Sequence, residues 1–196
     1  MGGVKFIREN GGLNRELSGS DHISGLIVYG EQAVEKVLIL EPNELEAIGV
    51  TLVTHPVLFY HVNEFFRINS GAKLYIQGVA VSDGEYSEIK VLQNFAGGDI
   101  RQMAICDFKS PVSVLETAIP KLNQIATELG NLNLPLSILF TVKVTSVEMV
   151  TLPQLHLENE RVSVIISQDG GGLGAFLATT NPSISNIGAC LGAVSK

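Results

Sequence analysis

The sequence has no tryptophan, only two cysteines and few charges: 17% of its 196 residues are Asp, Glu, Lys or Arg. Two cysteines in so long a chain exclude a disulfide-stapled miniprotein. Cys106 and Cys190 stand far apart in the apolar runs Met103–Cys106 and Ile187–Cys190, the setting of small core residues rather than of a disulfide or a reactive thiol. His22, His55, His61 and His156 show no metal-ligand spacing, and no CxxC occurs. His55 and His61 are six residues apart and would point to different faces of a helix. His55 precedes Pro56, which suits a helix entrance. A G-x-S-x-G elbow and a G-x-x-x-x-G-K-S/T phosphate loop are both missing. No run reaches the ~18–20 apolar residues of a membrane span, because Lys143 and Gln168-Asp169 cut the longest candidates. Phe6 stands where a myristoylation signal needs Ser or Thr, and no cationic-then-apolar leader is visible. The net charge of −7 argues against a sequence-independent hold on nucleic-acid phosphates. The expectation is a cytoplasmic protein without nucleic-acid or membrane partners.

What is present suits a folded core. With 45% hydrophobic residues the chain is too apolar for disorder, and one globular domain of this length buries roughly 70% of its unfolded surface. Residues 1–20 are polar and glycine-rich. They read either as a hairpin closed by Asn10-Gly11-Gly12 or as an N-terminal arm. Short strands follow at Leu26–Tyr29 and Val37–Leu40, with a helix-like stretch at Asn43–Ile48.

From residue 54 strands and helices alternate. Thr54 and Pro56 mark a helix start. Leu58, Val62, Phe65 and Phe66 recur at helical spacing up to Asn69-Ser70-Gly71. Lys73–Val79 is a strand, Asp83-Gly84 a turn, Tyr86–Phe95 a helix and Ile100–Cys106 a strand. A long helix then opens at Ser110-Pro111, or a turn later at the capping-box pair Ser113 and Glu116. Its stripe is Leu115, Ala118, Ile119, Leu122, Ile125, Ala126 and Leu129, and Pro120 inside it should kink or divide it. Leu136–Val142 and Val162–Ile166 are strands, and a last helix is expected over about Pro182–Val194. Strands spaced by amphipathic helices predict an α/β domain over about residues 21–196. Its sheet is mostly parallel and covered by helices on both faces, in three layers.

One motif invites chemistry. Gly170-Gly171-Gly172-Leu173-Gly174-Ala175 satisfies G-x-G-x-x-A after a predicted strand, as in a dinucleotide site. It comes last in the series, however, and no further strand with a ribose-binding acid can follow. Thr179-Thr180-Asn181-Pro182 also interrupts the helix it needs. The reading is a glycine-rich surface loop, with Asp169 capping the turn. Glu64 and Arg67 suit a solvent-side ion pair, and Asp83 and Glu85 suit turn chemistry. Glu158, Glu160 and Arg161, beside His156, suit a solvated loop. No catalytic, cofactor or metal residue is assigned.

Four stretches together resemble the sheath proteins of contractile phage tails and related contractile injection systems: Asp21–Ile27, Tyr60–Ala72, Val162–Asp169 and Ile187–Ser195. The resemblance implies a structural, non-enzymatic protein with an α/β core, found in a virion tail or contractile particle assembled in a bacterial cytoplasm. Its partners would be further copies of itself and an inner tail tube protein. It also implies terminal arms that add strands to neighbouring subunits, a role open to residues 1–20. Such sheath proteins are generally longer, so the expectation is either a fragment, with the 21–196 core truncated at its C-terminus, or a shorter relative. The alternative is a nucleotide-binding α/β enzyme using residues 170–175.

Overall fold

A computed structural model describes residues 23–144, 160–168, 170–181 and 184–196. The expected arm at 1–20, together with His22, His156, Glu158 and Asp169, lies outside the described residues. Six strands, β1 (Ser24–Tyr29), β2 (Val34–Ile39), β3 (Leu74–Val79), β4 (Gln102–Pro111), β5 (Ser137–Lys143) and β6 (Val162–Val164), form one sheet in the order β2-β3-β1-β4-β5-β6. All pairings are parallel except that of β2 with β3. The helices are α1 (Glu44–Ala47), α2 (Pro56–Ile68), α3 (Glu88–Phe95), α4 (Leu115–Asn131), α5 (Gly172–Leu177) and α6 (Ile187–Val194). This is the expected α/β fold with a mostly parallel sheet.

Strand alternation sends neighbouring side chains to two separate cores. Ile27 and Tyr29 of β1, Ile105 of β4 and Phe140 of β5 join the inner residues of α3 and α4. Leu26 and Val28 of β1, with Ala104 and Cys106 of β4, join α1, α2 and α6 instead. β1 is central and all six of its residues are buried, which explains its near-continuous apolar run.

Several boundaries differ from the sequence reading. β4 extends through Pro111, because its end still pairs with Lys143 across an irregularity. The long helix therefore begins at Leu115 after a 3-10 turn over Val112–Val114, and neither Ser110 nor Ser113 caps it with a side-chain bond. Pro120 does not divide α4, which runs unbroken over 17 residues. The ring removes one backbone donor early in the helix, while buried Ala118, Ile119 and Leu122 hold both sides of it to the core. The last helix starts at Ile187, not near Pro182. β6 has three residues rather than five. β2 begins earlier than expected, at Val34, and carries a register shift between Val34 and Val37.

Candidate functional site

β1 lies between β3 and β4, so successive connections diverge from its carboxyl end: α2 packs on one face, α3 and α4 on the other. In open α/β sheets ligand crevices form at that point. Here the chain's own side chains take those positions. Gly30 turns at φ +104°, and Glu31 follows it. The Val57 and Leu58 N–H groups donate to Glu31 Oε1 and Oε2 at 2.8 and 3.0 Å. These first-turn donors have no partner within α2 and stand at its positive end, where a phosphate would otherwise sit. Burial raises the Glu31 carboxyl above its ordinary range, opposed by the two backbone bonds and by the nearby His55 and Lys109.

Beside it, Tyr29 Oη donates to Glu88 Oε2 at 2.7 Å and Tyr86 Oη to Asp107 Oδ2 at 3.2 Å. The two phenol rings meet edge to face at 5.6 Å, and Tyr86 meets Phe140 in the same manner at 5.5 Å. Burial and the adjacent acids push both phenols upward, so they stay protonated and donate. Tyr86 holds a left-handed φ of +54° just after the Asp83-Gly84 turn. In that turn the Glu85 N–H donates to Asp83 Oδ1 at 2.8 Å, the turn chemistry expected of the pair. Chemically this is a closed network of phenol donors and carboxylate acceptors. Sequence reasoning missed Tyr29, Glu31, Tyr86, Glu88 and Asp107 because distant segments supply them. The one available signal was Asp107, an acid directly after the apolar run Met103–Cys106, where burial in the strand would demand a partner.

The two described histidines also take definite places. His55 is the N-cap residue of α2, as the following proline suggested, and Pro56 is its first residue. His61 is fully buried, with Nε2 3.4 Å from the Cys106 sulfur. Burial pushes the His61 imidazole down to about 3 and the Cys106 thiol well up. Both are therefore neutral near pH 7, whereas a cysteine nucleophile works as a thiolate beside an imidazolium. Cys106 is a core residue; Cys190 is half-buried, and both are free. Among the described residues no three His, Cys, Asp or Glu side chains gather as a metal site, and no helix is long and apolar enough to cross a membrane.

The glycine motif lies after the edge strand β6, not at the divergence point. Part of the 170–175 stretch read as a loop lies in the six-residue helix α5, and a Cβ at Gly170 or Gly172 would meet nothing within 4 Å. The close backbone approach that makes such glycines obligatory in a dinucleotide site is therefore not filled by protein at those two positions. Thr180 and Asn181 end the helix by donating their N–H groups to Leu177 O. Glu64 and Arg67 form the expected pair at 2.6 Å, yet the Glu64 side chain is buried, not solvent-facing. Glu160 is exposed, while the Arg161 guanidinium packs beside Gly130 of α4.

No family model and no curated protein matches the chain.

Proposed function

We propose that the chain is a structural subunit of a contractile sheath, or part of one, that polymerises around an inner tube and has no catalytic role. One observation carries this reading. Two of the stretches that resemble sheath proteins, Tyr60–Ala72 and Ile187–Ser195, lie on α2 and α6 and meet in space. A Cβ on Gly188 would stand 2.3 Å from the His61 carbonyl oxygen, and one on Gly192 would stand 2.7 Å from that of Phe65. Asn69 Nδ2 donates to Ser195 O at 2.8 Å. The likeness thus follows a packing framework, as expected for a protein whose role is shape.

A third stretch holds β6, one of the sheet's two edge strands. Among the described residues no strand pairs with its outer side. Main-chain groups on such an edge can take a strand from a neighbouring copy without a side-chain code. The test is expression of the whole natural reading frame, with any residues beyond Lys196, followed by negative-stain electron microscopy. Tubes or stacked rings are expected. Uniform small particles from that full frame would overturn the self-assembling reading.

A further inference from the structure

The two cores reach different distances across the sheet. The core shared with α2 and α6 extends to the edge, with Leu74 and Ile76 of β3 and Ile39 of β2 buried in it. The core shared with α3 and α4 stops short. β3 gives it only the half-buried Tyr75 and Val79, and no apolar residue of β2 joins it. Leu38 pairs in register with Tyr75, so their side chains stand together on this side. Leu38 belongs to neither core. Phe95, the last residue of α3, meets the Tyr75 ring edge to face at 6.0 Å and is still 50% exposed. Val91, one turn before it, is 44% exposed. Leu38, Tyr75, Phe95 and Val91 thus make an apolar shelf that the described residues leave open, and a contiguous surface of that kind calls for an occupant.

The position of the shelf selects that occupant. Ser24, at the start of β1, is in register with Leu74, and Leu74 with Ile39. The chain therefore enters the sheet at the same end as Leu38 and Tyr75, about 10 Å from β2 at two strand spacings. Ile23, at that entrance, is itself buried in the α3–α4 core. Twenty-two residues precede it, and Val4, Phe6 and Ile7 are their densest apolar group. The sixteen residues from Ile7 to Ile23 can span at most roughly 55 Å, several times the gap. A tether that bridges its gap presents its end at about millimolar concentration, which a second copy in dilute solution does not match. We propose that Val4, Phe6 and Ile7 cover the shelf of their own chain, with Phe6 beside Tyr75 and Phe95. The proposal stands apart from the sheath reading.

The test puts the photo-crosslinker p-benzoylphenylalanine in place of Phe6 in the full chain, irradiates it in dilute solution and maps the linked peptides by mass spectrometry. Links within one chain to the segments holding Leu38, Tyr75 and Phe95 are expected, in a product of monomer mass. Leu38→Ser combined with Phe95→Ser should lower their yield roughly tenfold or more, the scale of one lost apolar side chain. In the chain without crosslinker, Phe6→Ser combined with Ile7→Ser should speed amide exchange at Leu38 and Tyr75 and leave α4 unchanged. Circular dichroism and urea midpoints would establish that both double variants are folded. No link within the chain, links scattered over the surface, or an undiminished yield in the folded Leu38→Ser, Phe95→Ser chain would overturn the proposal. Links formed only between chains, rising with protein concentration, would overturn it too and give the shelf to a second copy.

Discussion

The two faces of the sheet are closed by different means. On the α3–α4 side, long side chains from Leu115 to Leu129 fill the space above Ile105 and Phe140. On the α2–α6 side, glycines at 188 and 192 bring α6 onto the backbone of α2 at His61 and Phe65. The first face is a packing of volumes and should accept swaps that conserve volume. The second depends on atoms that are not there, so any addition must part the helices.

Substitutions can break this contrast, and the largest effect belongs to the backbone contact. Gly188→Val should cost about 4 kcal/mol or more, the range of severe overpacking, and expose Ile187 and Leu191. Urea unfolding and protease sensitivity of residues 184–196 check it. Leu122→Ala on the opposite face leaves a cavity and should cost about 2–5 kcal/mol. Its hydrogen-exchange signature would fall on α4 and spare α6.

Acid sharpens the same contrast, because His61 lies beneath α6. Its folded imidazole titrates near 3, whereas an unfolded chain takes up that proton near 6.5. The folded state therefore binds fewer protons between those values. The His61 contribution is fully present above about pH 6.5 and is lost as pH falls toward 3, at up to about 1.4 kcal/mol per pH unit. Between pH 7 and 5 that makes roughly 2 kcal/mol. Urea midpoints should show the slope in the wild type, and His61→Leu should lack that share.

Smaller effects come from the periphery of each face. Glu31→Ala uncovers the Val57 and Leu58 N–H groups and should cost about 1–2 kcal/mol, read as a lower melting temperature. Lys121→Ala removes the exposed pair with Glu85 and should change stability by less than about 1 kcal/mol.

How much of this was legible in the sequence depended on whether the cause was local. The stripes of α2 and α4 and the apolar run of β1 declared themselves, because each buries a regular face. β2 was shortened at its start because Glu35 and Lys36 break the apolar pattern on an edge strand. Ser110-Pro111 looked like a helix entrance by local chemistry, but pairing with Lys143 keeps it in the sheet. The Tyr29–Glu88 and Tyr86–Asp107 bonds left almost no trace, since each partner is an ordinary residue until the fold brings it to the other. The same holds for Glu31: only the placement of α2 makes it a cap.

The central position of β1 also sets a schedule. Ser24–Tyr29 has β3 on one side and β4 on the other, so its second partner is complete only when Asp107 has been made. At 5–20 residues per second that wait is roughly 4–16 s. Through it, Leu26-Ile27-Val28-Tyr29 has an apolar surface and unpaired main-chain groups on at least one flank. The strand that ends as the most protected part of the molecule thus begins as its most exposed liability, and chaperones and mispairing compete for it in that interval.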